Sequence, residues 1–233
     1  MENITKDDES NGIDIFDELS PNTLLALCKF YMQREENFND NNLMENWQAS
    51  FSYFWLSQFW YSDETVQKFS NECSSIVKEN GHVACVCCPS LLPAILANEI
   101  FKKKCASVKL FEFDERFASK YPREFIHYDY RVPLTIERCY HGIFDVILVD
   151  PPFLSEECFI NIAQTVKLLK HDINAKILVS TGIVMESLVR FFMYILFQVK
   201  QLYNTIRSSF VPTHASKIAN EFACFTNYPT QTF

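Results

Sequence analysis

Glycine is scarce in this chain, which has 4 glycines in 233 residues. Loops that wrap phosphate groups in nucleotide-binding folds use several closely spaced glycines, because glycine lets the backbone approach a ligand closely. The first strand-to-helix turn that the sequence predicts, Cys88-Pro89-Ser90, contains none. This scarcity argues against a generic glycine-rich nucleotide fingerprint.

Positive charge is also in short supply, since 21 lysines and arginines stand against 29 acidic residues, giving a net charge of -8. Proteins that bind duplex nucleic acid neutralise many phosphates, and no dense basic cluster lies near the motif described below. A local basic groove would still be compatible with an acidic total. The balance favours a basic protein partner over nucleic acid.

Long apolar runs are missing as well. The most apolar late stretch, 188–199, contains Arg190 and is shorter than the roughly 20 residues that span a bilayer. The first twenty residues are acidic and polar, unlike a secretory signal. We therefore expect no membrane span, and a cytoplasmic location in which the nine cysteines are reduced thiols.

The densest group of thiols is Cys85, Cys87 and Cys88. A structural zinc site needs a second cysteine pair, or histidines, at matching spacing, and the sequence offers no such second half. We expect buried strand thiols here and no metal site.

Apolar residues are abundant, at 48% of the chain, which is enough for one sizeable α/β domain with an appendage. We predict a disordered acidic tail over residues 1–18 and a helical segment with a dense run of aromatic residues over 19–80. A Rossmann-like core is predicted over 81–233.

The centre of that core is an apolar run, Val146–Val149, which ends in Asp150-Pro151-Pro152-Phe153. Unbroken β-branched runs are typical of central parallel strands covered on both faces. Proline lacks the N–H that a sheet ladder needs, so the two prolines end the strand and hold Asp150 at its carboxyl edge. Ligands bind at that edge in open α/β sheets. The acid, the loop carbonyls and the ring can together hold an amino group.

Acids end two neighbouring strands, with Glu112 in the second (107–114) and Asp129 in the third (124–130). Glu112 follows the first turn by about 20 to 25 residues, where an acid accepts hydrogen bonds from ribose hydroxyls. A solvated strand-end acid is the alternative for Glu112. The other strands are predicted at 83–88, 176–182, 210–212 and 221–226. The predicted fold is α/β, with a sheet that is mostly parallel and has an antiparallel C-terminal strand.

Capping residues mark the predicted helix starts. Ser62 precedes one helix, Ser155 precedes another, and Asp114 caps a short helix at 116–120. A single helix is predicted over 92–101, returning across the sheet between the first two strands.

The tetrapeptide at 150–153 resembles the Asp/Asn-Pro-Pro-aromatic motif of class I S-adenosylmethionine-dependent methyltransferases that modify exocyclic or side-chain nitrogens. Three longer stretches, QFWYSDETV, DPPFLSEEC and ANEFACFTNY, are similar to the elongation factor 1-alpha lysine methyltransferase family, once described as adenine-N6 DNA methyltransferase-like. The resemblance runs from Leu19 to Tyr228. That family carries a Cys-Pro-containing loop where other methyltransferases have glycines.

The resemblance implies a class I methyltransferase fold, S-adenosyl-L-methionine as cofactor and a lysine of translation elongation factor 1-alpha as methyl acceptor. It implies the following site residues. The catalytic residues are Asp150, Pro151, Pro152 and Phe153. The cofactor contacts are Cys88, Pro89, Ser90, Glu112, Asp129 and Asp150, with Asp129 at the adenine amino group. The substrate channel is lined by Phe59, Trp60, Tyr61 and Phe153.

Two alternatives stay open at this point. The same tetrapeptide suits the adenine amino group of DNA or RNA, although the acidic charge argues against it. A non-catalytic module with the cofactor fold is the other, because the first turn lacks glycine and the 199–209 segment is longer than the family needs.

Overall fold

The computed structural model describes residues 60–104, 107–187, 189, 206–215 and 220–230, which all belong to one compact unit. The predicted tail, the predicted helical segment as far as Phe59, and the chain from 190 to 205 lie outside the described residues. The predicted domain bounds therefore stay predictions. Within the described ranges, no helix has the length and apolar character needed to cross a membrane.

The described chain contains both helices and strands. The strands are β1 (His82–Val86), β2 (Ser107–Glu112), β3 (Phe125–His127), β4 (Val146–Val149), β5 (Lys176–Gly182), β6 (Ile206–Arg207) and β7 (Phe222–Thr226). The α-helices are α1 (Asp63–Ile76), α2 (Leu92–Ala97), α3 (Glu99–Lys103), α4 (Arg116–Lys120) and α5 (Glu156–Leu169). Short 3₁₀ turns lie at Pro89–Leu91, Pro133–Thr135, Arg138–Tyr140 and Ile183–Met185.

The described strands form one sheet in the order β3-β2-β1-β4-β5-β7-β6. Neighbours from β3 to β5 pair in parallel, whereas β7 runs antiparallel to β5 and β6 runs antiparallel to β7. The α/β fold class, with its mostly parallel sheet and antiparallel C-terminal strand, is confirmed.

Helices cover the sheet on both faces, which explains why its central strands are unbroken apolar runs. All four residues of β4 are buried. On one face, α5 packs Ile162 and Val166 into a core cluster with Ile147 and Ile177 of the sheet. Side chains alternate along a strand, so Cys85 points to the other face of the sheet. Cys73 of α1 is buried on that face.

The predicted helix starts are confirmed where they rest on side-chain caps. Ser62 Oγ accepts a hydrogen bond from Thr65 N, and Ser155 Oγ accepts one from Cys158 N. Asp114 Oδ1 accepts from Arg116 N at 3.0 Å, which ties down the start of α4.

Three predicted elements are wrong. The helix expected over 92–101 is two helices, because Asn98 ends α2 and caps α3, accepting from the amides of Ile100 and Phe101. The third strand ends at His127, so Asp129 follows it in a loop. Residues 210–212 lie in a loop, since the strand that pairs with β7 is Ile206–Arg207.

Candidate active site

The parallel strands β1 to β4 end on the same edge of the sheet, and each is followed by residues predicted to act there. Cys88 follows β1, Glu112 ends β2, Asp129 follows β3 and Asp150 follows β4. One edge of the sheet therefore gathers the acids that are spread over 39 positions, from 112 to 150, in the sequence.

The turn after β1 contains no glycine, and a cysteine adopts the left-handed backbone conformation there. Cys87 has a φ of 56°, in the left-handed region that glycine usually occupies, and its N–H donates to Phe111 O at 2.9 Å. A side chain in this conformation is strained, and such positions cluster at functional sites. The backbone bend that a glycine would normally provide is therefore present without one.

Cys88, Pro89 and Ser90 are all buried in the structure. The Cys88 thiol points back into the sheet, where it lies 3.7 Å from Leu148 O, and burial raises the pKa of that thiol. Pro89 begins a 3₁₀ turn, at the position where its missing N–H costs nothing. Any ligand contact from Cys88 must therefore come from its backbone.

Glu112 is buried, with 2% of its surface exposed. Its Oε1 accepts from the amides of Phe113 at 2.8 Å and Asp114 at 3.1 Å. The turn that follows β2 thus fixes the carboxylate in place, which does not fit the alternative of a solvated acid.

Asp129 is held by Arg131. The guanidinium donates from Nε to both carboxylate oxygens, at 2.9 and 3.0 Å, and from Nη2 to Oδ2 at 2.6 Å. These hydrogen bonds keep the pKa of Asp129 below its ordinary value. Asp129 is therefore an ionised acceptor whose present partner is an arginine.

The three acids converge on Cys87. Burial is the main cause of the raised pKa of the Cys87 thiol, and the negative charges of Glu112, Asp150 and Asp129 add to it. All three acids end or follow strands that are neighbours of β1 or of β2 in the sheet, so they lie at the same edge as the bend after β1. Two of these charges are reduced in effect, since Arg131 pairs with Asp129 and burial disfavours the ionised form of Asp150.

Asp150 is partly buried at the end of β4. Its N–H donates to Val86 O at 3.1 Å, which extends the β1–β4 ladder to the strand's end. Burial raises the pKa of the Asp150 carboxyl to about 8, with Glu112 adding to the rise. The phenol of Tyr61 opposes it, donating to Asp150 Oδ2 at 2.7 Å.

The aromatic residues predicted to line a channel are placed in two groups. Tyr61 is buried beside Asp150, and the neighbouring Trp60 is buried with its ring 6.5 Å from that of Phe117. Phe153 is 43% exposed and packs on Tyr130, with ring centroids 5.7 Å apart. Phe59 lies outside the described residues, and the assignment of these residues to substrate stays a prediction.

The loop after β4 also rests on the end of β5. A Cβ built on Gly182 would lie 2.8 Å from Leu154 Cδ1, closer than real Cβ contacts come. Glycine at this position therefore lets the residue after Phe153 pack against the neighbouring strand.

Sequence reasoning left three residues of this site unassigned. Tyr130 directly follows Asp129, and an aromatic residue next to a predicted ligand was a usable signal. Cys87 gave no signal of its left-handed backbone. His214, whose ring lies 4.9 Å from that of Tyr61, is 153 positions away in the sequence, so no local pattern connects the two.

Comparison with known proteins places the chain in a family. The family model described as "Probable N6-adenine methyltransferase" matches residues 53–230. A protein-lysine N-methyltransferase of Caenorhabditis elegans is 37% identical, over 94% of this chain and 98% of that protein. The human EEF1A lysine methyltransferase 1 is 38% identical, over 91% and 92%.

A more distant relative is the protein-lysine N-methyltransferase EFM5 of Saccharomyces cerevisiae, 32% identical over 87% of this chain and 83% of that protein. A solved spermidine synthase, 13% identical with a TM-score of 0.43 over 71% of this chain and 60% of that one, is too distant to carry an argument. The resemblance drawn from the three sequence stretches is confirmed. By its length-wide identity to these enzymes, the chain belongs to the family of EEF1A lysine methyltransferases and related protein-lysine N-methyltransferases, whose family model bears the N6-adenine methyltransferase description.

Proposed function

We propose that this protein transfers a methyl group from S-adenosyl-L-methionine to the side-chain amine of a lysine on translation elongation factor 1-alpha. The observation that carries the proposal is the position of Asp150, which the β1–β4 ladder and the phenol of Tyr61 hold at the carboxyl edge of the sheet, where burial also raises the pKa of its carboxyl. The name of the human relative, an EEF1A lysine methyltransferase 38% identical over most of both chains, supports the acceptor.

The site's donor and acceptor set fits S-adenosylmethionine. That cofactor carries a cationic sulfonium, an ammonium, ribose hydroxyls and an adenine amino group, all of which suit carboxylate acceptors. Glu112 is fixed by its own turn where ribose hydroxyls would be bound, and Asp129 would accept from the adenine amino group once it releases Arg131. The bend at Cys87 gives backbone access, with Cys88, Pro89 and Ser90 forming the turn beyond it. When bound, the cofactor supplies an electrophilic methyl group.

Asp150 has two tasks toward the acceptor amine. A lysine ammonium with its ordinary pKa near 10.4 has no lone pair to offer, so a proton must leave before the nitrogen can accept a methyl group. A carboxylate whose pKa is about 8 is a far stronger base than an ordinary aspartate, because burial disfavours its charge. In its ionised form, which predominates above about pH 8, Asp150 accepts a hydrogen bond from the amine, and with it the proton, while holding the nitrogen in place.

The loop after Asp150 positions the amine and shields it. Neither Pro151 nor Pro152 has an N–H, so these two residues offer the amine carbonyl acceptors and no competing backbone donor. Phe153 presents an exposed ring at the mouth, where it covers the aliphatic part of a lysine side chain. Positioning of this kind supplies a large share of a rate enhancement.

The test is methyl transfer from tritiated S-adenosylmethionine to purified elongation factor 1-alpha, with an oligonucleotide run in parallel. We expect label on the protein and none on the nucleic acid. Label on the oligonucleotide alone would replace the acceptor with a base. Calorimetry that shows no heat with the cofactor would remove the enzyme altogether.

Asp150→Ala tests the site itself. We expect the variant to bind the cofactor with less than a tenfold loss of affinity and to lose methyl transfer by at least about a hundredfold, as a buried charged hydrogen bond implies. Wild-type turnover in Asp150→Ala would take Asp150 out of the mechanism.

We also place the reaction in the cytoplasm, where thiols stay reduced. Within the described ranges, seven cysteines carry free thiols, six of them buried. Fluorescence imaging of the tagged protein tests the location, and an organellar pattern would contradict it.

A further inference from the structure

We infer that Tyr61 is a positioning residue for Asp150, holding one carboxylate oxygen so that the other faces the substrate amine. The inference rests on the proposed function, because it assigns a role within the same site. It concerns a residue that the family resemblance placed only in an aromatic channel wall.

The hydrogen bond is short, and it joins two residues that are far apart in the sequence. Tyr61 Oη donates to Asp150 Oδ2 at 2.7 Å, across 89 positions of sequence. A carboxylate offers about four acceptor positions on its two oxygens. A phenol on Oδ2 therefore fixes the rotation of the carboxyl and leaves Oδ1 for a second donor.

Ring packing holds the phenol where it is. Tyr61 is 3% exposed. Its ring stacks on Phe69 of α1 at 5.3 Å between centroids and lies 4.9 Å from the ring of His214. The ring of His214 in turn meets that of Phe222, the first residue of β7, at 4.6 Å. Tyr61 is thus confined by the helix on one side and by the edge of the sheet on the other.

The backbone of Tyr61 is held as firmly as its ring. It forms an antiparallel bridge with His214. Ser62 N donates to Thr213 O at 2.9 Å, and Ala215 N donates to Trp60 O at 2.8 Å, on either side of the bridge. This pairing joins residues 60–62 to residues 213–215.

A cluster of hydroxyls reinforces the same joint. Ser62 Oγ lies 2.6 Å from Thr213 Oγ1, which is 3.2 Å from Thr65 Oγ1. The amide of Thr213 donates to Thr65 Oγ1 at 2.9 Å. The cap of α1 and the loop before β7 are therefore one unit, and this unit carries the phenol to the active-site acid.

The hydrogen bond from Tyr61 also affects the ionisation of the Asp150 carboxyl. A hydrogen bond from a neutral donor stabilises the ionised carboxylate, so Tyr61 offsets part of the effect of burial on the pKa of Asp150. Without the phenol, the carboxyl would be both free to rotate and more often protonated. Both changes would lower the fraction of enzyme able to receive an amine.

The experiment compares Tyr61→Phe with Tyr228→Phe. Each variant removes one oxygen from a buried tyrosine, and Tyr228 lies just past β7, at the opposite edge of the sheet from Asp150. We expect Tyr61→Phe to lower kcat by about tenfold to a hundredfold, the effect of losing a hydrogen bond to a charged group, with the KM for cofactor unchanged. The pH at which kcat reaches half its maximum should move upward. Tyr228→Phe should keep wild-type kcat and its pH profile.

Two further measurements separate positioning from folding. Kinetics are run at a temperature where circular dichroism shows all variants folded. In an Asp150→Ala background, which has no side-chain acceptor for the phenol, Tyr61→Phe should change the residual rate less than twofold. A loss as large as that in the wild-type background would show that Tyr61 acts elsewhere and would overturn the inference.

The outcome for Tyr61 is distinguishable from the outcome for the proposed function. If the wild-type protein methylates elongation factor 1-alpha and Tyr61→Phe has the same kcat and pH profile, the inference fails and the function stands. If the wild-type protein methylates no protein, carbon-detected NMR of the Asp150 carboxyl still tests the contact. An equal carboxyl pKa in wild type and Tyr61→Phe would then overturn it.

Discussion

Three influences of unequal size set the pKa of Asp150: burial, the hydrogen bond from Tyr61 and the charge of Glu112. Burial raises the pKa of the carboxyl from 3.8 to about 8, against the hydrogen bond from Tyr61 and with help from Glu112. Between these two values the folded protein holds a proton that the unfolded chain releases. The cofactor-free fold therefore loses stability as pH rises from about 4 to about 8.

This sign can be measured with Asp150→Asn, which keeps the shape of the side chain and cannot ionise. His214 titrates in the opposite direction, because burial lowers its pKa from 6.5 to about 4, so its effect is confined to lower pH. Between pH 6.5 and 8 we expect the melting temperature of the wild type to fall relative to that of Asp150→Asn. Differential scanning fluorimetry in matched buffers gives the two curves. Parallel curves would mean that the Asp150 carboxyl is already ionised at pH 6.5.

The parts of the site that sequence could reveal are those with local signals. Two prolines placed Asp150 at a strand end, and the acid at the end of the second strand identified Glu112. The partner of Asp150 could be placed only in an aromatic wall, because the Tyr61 contact depends on a fold that brings together residues 89 positions apart. The ion pair of Asp129 with Arg131 is local, yet nothing in the spacing says that the arginine turns back onto the acid.

Two helices offer a matched comparison of capping serines. Ser62 and Ser155 each accept from the third residue of their helix, both at 3.3 Å. Ser62 also lies 2.6 Å from the hydroxyl of Thr213, which belongs to another part of the chain. Ser155 therefore only caps its helix, whereas Ser62 caps α1 and also joins it to the loop before β7.

We expect Ser155→Ala to lower the free energy of unfolding by about 1 kcal/mol, the usual cost of a lost cap. Ser62→Ala should cost roughly 1 kcal/mol more, since the hydroxyl of Thr213 loses a partner as well. Urea denaturation followed by circular dichroism gives both values. If the two variants are equally destabilised, the hydroxyl cluster contributes nothing beyond an ordinary cap.

The elements themselves were predictable to the extent that each is decided locally. Apolar runs marked the positions of β1, β4 and β5, and serine caps marked the starts of α1 and α5. The break at Asn98 was missed because apolar periodicity continues across it, although asparagine is a good cap. The strand expected at 210–212 was wrong because a tertiary contact decided it. Residues 210–212 lead directly into residues 213–215, which pair with residues 60–62. The strand that pairs with the outer side of β7 is therefore β6 and not residues 210–212.

Charge is a property of the whole molecule, and a net charge of -8 favours a basic protein partner. Some of that charge is concentrated at the proposed site. Glu156 and Glu157 are exposed in the first turn of α5, three and four residues after Phe153, and Glu221 is exposed just before β7. Exposed acids around the mouth increase the rate at which a basic acceptor protein is captured, since steering depends on charges near the docking surface.

Salt should therefore weaken capture of the acceptor without slowing the chemistry. Raising ionic strength from about 50 mM to about 300 mM shortens the range of exposed charges to less than 10 Å, so we expect kcat/KM for elongation factor 1-alpha to fall several-fold while kcat holds. The doubly substituted variant Glu156→Gln, Glu157→Gln should show a weaker dependence on salt. Glu99→Gln, which removes an exposed acid on α3, is the control and should keep the wild-type dependence. Melting curves check that the loss of acids from the first turn of α5 leaves the fold intact. If the salt dependence is the same in all three proteins, the acids beside Phe153 do not guide the acceptor to the site.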